Sequence, residues 1–354
     1  WLGRLERDYD NLRAAQRFLI ASEDANRALR LGGHLASLWR IRGRYSEGRG
    51  WLAEVLALPW DRDSAPSRVG ALFGAACLAL AQSDSDTTRT FGEECLALAR
   101  ELGDKRGIAE VLNILGMLAR QRGDYDTART IAEERLAIEK DVGDHDLAAD
   151  ALGDLGAIAL FQGDLDTARP LIEQGLAIHR RRGDMYSTGW SLLNLGRLAR
   201  WAGEAALARA HSDQTLAVWS GLGYRKGMSV ALRSLGALDI DDGDLPRASA
   251  RLRESLMMAR EQGMRGYAAS VLADIARLAI AQGLTERALR LAAATFALTE
   301  ALGEPLFPAE RRVLTHQIDA VRHMLGETDA AAARAQGQAM TLEQAIAEAL
   351  ADGG

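Results

Sequence analysis

The sequence predicts an all-α fold, a right-handed superhelical solenoid of about eight antiparallel helix pairs behind a leading N-terminal helix. The first observation is an internal repeat. Residues 111–144 return as residues 151–184, with the same order of helix, Gly-Asp turn, helix and Gly-Asp turn. Three glycines shift by 40 residues between the copies: Gly116, Gly123 and Gly143 become Gly156, Gly163 and Gly183. Such a fixed period is typical of arrays whose helix pairs bury their apolar faces against their neighbours.

The second observation is a pair of apolar ladders with the same step of 40. The first helices share Leu38, Leu78, Leu118, Ile158, Leu198, Leu238 and Leu278. The second helices share Leu56, Leu96, Leu136, Leu176, Leu216, Leu256 and Phe296. Because the residues three positions before the first ladder are also apolar, we expect every first helix to present the same stripe to the core.

The elements follow in order from these patterns. Residues 1–22 place apolar side chains three and four apart, which predicts one leading amphipathic helix that joins an upstream region. Residues 23–354 form the array of helix pairs. Its regularity breaks at the proline-containing loop 304–308, so the last pair, 309–350, runs three residues out of register.

The turns between helices have a simple chemical explanation. A glycine in the left-handed conformation ends the first helix, and the following aspartate, such as Asp164 or Asp244, caps the next one. Pro170 lies about one turn inside a predicted second helix, where we expect a local distortion.

Composition narrows the class of protein. The net charge of −6 and the pI near 5.7 argue against direct nucleic-acid contact, which needs a basic surface. The absence of a run of 18 apolar residues argues against a membrane span, so we expect a cytoplasmic protein. Cys77 and Cys95 lie in apolar helical patterns and are expected to be buried.

The repeated glycines, the Gly-Asp turns and the small residue at Ala128 and its equivalents resemble the tetratricopeptide repeat, with a longer period of 40 residues. The length is similar to that of the MalT-like superhelical sensor regions in bacterial LuxR-type (STAND) transcriptional regulators. Residues 1–15 with 47–58, and residues 337–350, look like the junctions that flank this region in such regulators. The resemblance implies an attached NTPase and DNA-binding machinery.

Motifs for catalysis or cofactor binding are missing. The sequence has no GxxxxGK[ST] phosphate loop, no HExxH and no GxSxG, so we predict no enzyme, no catalytic residue and no cofactor. Residues 239–244, DIDDGD, contain part of a calcium-loop pattern. Gly243 replaces a ligand and Ala250 replaces the closing glutamate, so we predict no metal site.

The candidate site is the concave groove that the first helices line in tetratricopeptide arrays. By this resemblance the groove-facing candidates are Trp190, Arg197, Arg200, Trp201, Arg233, Arg120, Asn113 and Arg277. Several arginines with two tryptophans are suited to clamp a carboxylate or phosphate and to hold a planar or apolar part. The alternative is that the tryptophans fill space between helices and that the arginines pair with internal carboxylates.

Two functions follow from this groove. The first is a sensor that binds a small molecule or a peptide and controls the attached regulator. The second is a scaffold that docks a partner protein's helix or tail without a small ligand. Protein or peptide partners are expected in both cases, while self-association stays open.

Overall fold

The computed structural model describes residues 2–142 and 148–351, and this part of the chain is helical without a strand. It contains 19 α-helices and one short 3-10 helix, at Arg62–Ser64. The α-helices are α1 Leu2–Arg7, α2 Tyr9–Ala21, α3 Ala25–Arg42, α4 Tyr45–Leu56, α5 Ala65–Ala81, α6 Ser85–Leu102, α7 Lys105–Gln121, α8 Tyr125–Val142, α9 Ala148–Gln162, α10 Leu165–Arg182, α11 Met185–Trp201, α12 Ala205–Leu222, α13 Arg225–Asp241, α14 Leu245–Glu261, α15 Arg265–Ala281, α16 Thr285–Ala301, α17 Pro308–Arg322, α18 Glu327–Gln338 and α19 Leu342–Leu350. The predicted all-α fold of helix pairs is confirmed.

The helices form two compact units. Unit 1 consists of Trp1–Arg120 and Asp126–Ala151, and unit 2 consists of Gln121–Tyr125 and Leu152–Gly354. In unit 1, α3 packs on α4 and α5, and α5 packs on α6. In unit 2, consecutive helices from α10 to α16 pack on one another, which is the stacking of pairs that the period predicts.

The core follows the apolar ladders. Every residue of the first-helix ladder is buried, from Leu38 at 1% exposure to Leu278 at 5%. The second-helix ladder is less buried: Leu176 and Leu256 are buried, whereas Leu56 and Leu216 are half-buried. One stretch in the described residues, Arg62–Ala81, has the length and composition of a membrane span, but 72% of its most apolar window of 18 residues is buried inside the fold. It is the core helix of unit 1.

The predicted turns are present where the structure describes them. Gly183 and Gly243 adopt φ of 66° and 80°, and the Asp244 side chain accepts the backbone N–H of Arg247 at 3.2 Å. Ser83 occupies the same place in an earlier turn and still has φ of 64°, so the turn geometry holds even without glycine. The turn at Gly143 lies outside the described residues.

Three local features differ from the prediction. The leading helix is two helices, α1 and α2, because the backbone at Asp8 leaves the helical region with ψ of 9°. Helix α10 continues through Pro170 without interruption. The last second helix divides into α18 and α19, because Thr341 forms a capping box with Gln344 that begins a new helix.

Cys95 provides a chemical test of this packing. Its side chain is 0% exposed, its Sγ donates to the carbonyl of Val69 at 3.4 Å, and burial raises its pKa to about 12. The native protein is therefore expected to resist alkylation of Cys95 by iodoacetamide at about pH 8, where an unperturbed thiol is substantially ionised. Peptide mass spectrometry should find modification of Cys95 after unfolding in guanidinium. Rapid labelling of the native protein would contradict this burial.

Candidate functional site

Three arginines on successive first helices of unit 2 form one ion-pair cluster. Arg233 of α13 donates to Asp274 at 2.6 Å, and Arg277 of α15 donates to the other oxygen of Asp274 at 2.9 Å. Arg277 also donates to Asp241 at 2.7 Å. Asp241 accepts two further hydrogen bonds from Arg200 of α11, at 2.6 and 3.2 Å. Opposite charges therefore alternate across α11, α13 and α15.

Helix α17 completes this arginine cluster. Glu310 lies 3.1 Å from the guanidinium of Arg233, and Gln317 accepts from Arg277 at 3.2 Å. Arg233 and Arg277 are only 5% and 6% exposed, so both charges depend on these carboxylates rather than on water. The cluster thus pairs three arginines with three carboxylates, and its formal charges sum to zero.

The electrostatics follow from burial and charge together. Burial alone would raise the pKa of Asp274, but Arg233 and Arg277 outweigh it and hold this pKa below the ordinary value of 3.8. Burial alone would lower the pKa of Arg233, yet the carboxylates of Glu310 and Asp274 raise it above its ordinary value. Asp274 is therefore a carboxylate and Arg233 a cation at neutral pH.

An aromatic patch lies beside the cluster. Phe161 at the end of α9 contacts Trp201 of α11 edge to face, with ring centroids 6.2 Å apart. Phe307, in the loop before α17, stacks on Phe161 at 3.9 Å with the two planes 3° apart. The guanidinium of Arg197 lies over both rings, 5.8 Å from Phe161 and 5.4 Å from Phe307.

The surface that the structure assembles is the first-helix face of unit 2, formed by α9, α11, α13 and α15. Residues 304–317, which we call the crossing segment, lie on this face. Their contacts run from Phe161 of α9 to Arg277 of α15. At the start of the segment, Pro305 lies 3.3 Å from where a Cβ on Gly123 would be. The cleft that remains among Arg197, Arg200 and Glu310 has a volume of about 30 Å³, which is room for one or two water molecules.

Five of the eight predicted groove residues belong to this site. Arg197, Arg200, Trp201 and Arg233 line the cleft, and Arg277 joins it through Asp274. Trp190 lies elsewhere in unit 2, in an aromatic cluster with Trp219 at 5.0 Å and Tyr224 at 6.4 Å.

The two remaining candidates, Asn113 and Arg120, lie half-buried on α7 in unit 1, and their participation in a groove stays a prediction. The carboxylates Asp241, Asp274 and Glu310 were not among the predicted residues. A charged residue within the apolar stretch VLADIARLAI was the available signal for Asp274.

The acidic sequence 239–244 is explained by separate partners. Asp239 is fully buried between Arg209 of α12 and Arg251 of α14, at 2.9 and 2.7 Å. Asp242 pairs with Arg209 at 2.7 Å, Asp241 joins the arginine cluster, and Asp244 caps α14. Asp239 and Asp242 share Arg209, and each of the four aspartates has a protein donor as its partner.

Comparison with protein families identifies the repeat. Residues 71–141 and 187–261 match the model described as tetratricopeptide repeat. Both segments contain tetratricopeptide repeats. Among curated proteins, no sequence matches the chain significantly.

Solved structures support the same fold. A Rap protein complexed with competence and sporulation factor is similar with a TM-score of 0.58 and 12% identity, over 91% of this chain and 99% of that one. The STAND protein PH0952 from Pyrococcus horikoshii, with a tetratricopeptide repeat sensor, is similar with a TM-score of 0.51 and 13% identity, over 94% of this chain and 53% of that one. A chain of the APC/C hetero-tetramer Cut9-Hcn1 is similar with a TM-score of 0.53 and 15% identity, over 93% of this chain and 60% of that one. These similarities establish the fold.

Proposed function

We propose that this chain is the sensing region of a bacterial LuxR-type or STAND transcriptional regulator in the cytoplasm, and that the first-helix face of unit 2 binds a protein or peptide segment. One observation carries this proposal: the face already binds a segment of the chain itself. It does so through an aromatic stack at Phe307 and an ion pair at Glu310. These are the contacts that a peptide groove provides.

The comparisons support this proposal at the level of fold. The similar Rap protein is described as a complex with a competence and sporulation factor. The similar Pyrococcus protein carries its tetratricopeptide repeats as a sensor, and this chain spans about half of that protein's length. The flanking segments 1–15 and 337–350 support a place between an NTPase and a DNA-binding domain. A peptide suits the face because a segment of the chain already lies there, and the cleft left beside that segment, about 30 Å³, is too small for a metabolite while the segment is in place.

The mechanism has a thermodynamic requirement. A ligand changes the state of the attached regulator only if it binds one conformation of the repeat array more tightly than another. Stacked helix pairs suit this requirement because each pair packs mainly on its neighbours, so that small rearrangements accumulate along the array. Arg200, Arg233 and Arg277 lie on three successive first helices, and one ligand on this face therefore contacts several pairs at once.

Thermal unfolding with peptide and metabolite pools tests the proposal. A bound peptide present at about 100 times its Kd is expected to stabilise the wild type by about 2.7 kcal/mol. The variant with Arg200→Ala and Trp201→Ala is expected to lose this response. Arg209→Ala, a matched control that removes an arginine ion pair between α12 and α13, is expected to keep it.

Three results would change the assignment. A peptide that stabilises the wild type and the double variant equally would place the site elsewhere. A response to metabolites alone would identify a small-molecule sensor. No response to either pool, together with recovery of one protein in a pull-down, would favour the scaffold.

A further inference from the structure

The crossing segment binds the first-helix face through two anchors of different chemistry. Phe307 is the residue before α17 and stacks on Phe161, with Arg197 over the pair. Glu310 is three residues later, in the first turn of α17, and pairs with Arg233. The face therefore offers one contact for each anchor: an aromatic ring for Phe307 and a guanidinium group for Glu310. The spacing of three residues places both anchors on their contacts at once.

The rest of α17 is held weakly. Of the 15 residues of α17, all of them described, Leu314 alone is buried. Val313 is 42% exposed, and neighbouring α15 and α16 each bury several side chains. Elements with few buried apolar contacts open at low free-energy cost. The crossing segment is therefore held mainly at its start, by the two anchors and by Leu306, which is 5% exposed, whereas its helical part has little other packing and opens more easily.

We propose that the crossing segment is an internal competitor for the peptide ligand, and that this ligand offers an aromatic side chain followed three residues later by a carboxylate. The ligand's ring would replace Phe307 on Phe161, and its carboxylate would replace Glu310 beside Arg233. This inference rests on the proposed function, because it assigns the chemistry of the ligand for the same face.

The charges of the site favour an acidic anchor. When Glu310 leaves, Arg233 keeps Asp274, which it shares with Arg277. The three guanidinium groups of the cluster then face two carboxylates, those of Asp241 and Asp274, and a third carboxylate restores the balance. A peptide with a neutral residue at this place leaves the cluster with one positive charge in excess. The carboxylate therefore contributes selectivity, and the aromatic ring adds apolar contact area.

Fluorescence anisotropy with a labelled peptide of residues 303–318 tests the proposal on the full chain. The wild type is expected to bind this peptide weakly, because its own segment occupies the face for most of the time. Phe307→Ala weakens the internal competitor. The labelled peptide is therefore expected to bind this variant with an apparent Kd about fivefold or more lower than its Kd for the wild type. Glu310→Gln, a nearly isosteric change, is expected to act in the same direction and serves if Phe307→Ala fails to fold.

Two controls make the test specific. Val313→Ala, at an exposed position of α17, is expected to leave the Kd of the wild type unchanged. A second peptide, with alanine and glutamine at the places of Phe307 and Glu310, is expected to bind at least about tenfold more weakly, which corresponds to 1.4 kcal/mol. Equal Kd values for the wild type and both segment variants, or for the two peptides, would overturn the inference. If a library peptide without this pattern still binds the face, the proposed function survives and only the internal competitor is rejected.

Discussion

The substitution Asp274→Asn is expected to lower the free energy of unfolding of unit 2 by about 3–5 kcal/mol, the cost of breaking a buried ion pair. Asp274 is 6% exposed and accepts hydrogen bonds from both Arg233 and Arg277, which are themselves buried. Asparagine keeps the shape but removes the negative charge. Two buried guanidinium groups then lose the carboxylate between them, and water does not reach them to compensate.

Guanidinium unfolding followed by tryptophan fluorescence measures this effect. Asp241→Asn is the matched control, because Asp241 also bridges two arginines of the cluster but its side chain is 39% exposed. The control is expected to lose no more than about 1 kcal/mol. Labelling of Cys95 in the same samples reports on unit 1, where it is expected to change little. Equal small losses for both variants would contradict the central place of Asp274.

Acidification provides an independent check of the same ion pairs. The pKa of Asp274 in the folded protein lies below its ordinary value of 3.8 because Arg233 and Arg277 outweigh the effect of burial. A depressed carboxyl pKa contributes stability that is fully present above the ordinary value and is lost as the pH falls through the folded one. The wild type is therefore expected to lose stability more steeply than Asp274→Asn as the pH falls below 3.8. If the free energies of unfolding of the wild type and of Asp274→Asn fell in parallel as the pH decreased, the result would argue against these ion pairs.

The helix pairs were predictable because their signals repeat. The ladder through Leu38 and Leu278 places one apolar side chain at the same point of every first helix, and all members are buried. The turns repeat as well, since a left-handed residue and a capping aspartate satisfy local backbone groups wherever they occur, as at Gly243 and Asp244. A repeated pattern gives several independent observations of one rule.

The candidate site was predictable only in part, because its contacts join residues that are distant in sequence. The period of 40 placed Arg200, Arg233 and Arg277 on first helices, but it gave no means to find which carboxylates they meet. Glu310 and Phe307 belong to the part that departs from the period, so no equivalent position indicated their contacts. Their place follows from the path of the chain after α16, which the proline-containing loop sets through tertiary packing.

The substitution Trp219→Ala is expected to cost about 3–5 kcal/mol of stability while the peptide site remains intact, because it leaves a large cavity in the core. Trp219 is 0% exposed, and its ring lies 5.0 Å from that of Trp190 and 5.6 Å from that of Tyr224. Gly189 and Gly227 line its pocket, and a Cβ at either glycine would overlap the indole. These glycines make room for the ring, and they have no side chain that could fill the space left by its removal.

The comparison with Trp201→Ala separates a packing role from a binding role. Trp201 is half-buried and lines the cleft of the first-helix face, whereas Trp190 and Trp219 contact each other away from it. Trp201→Ala is therefore expected to cost less stability than Trp219→Ala but to weaken binding of the peptide of residues 303–318. Chemical denaturation and anisotropy on the two variants measure both quantities. If Trp219→Ala reduced peptide affinity as strongly as Trp201→Ala in folded protein, the aromatic cluster around Trp190 would belong to the binding surface after all.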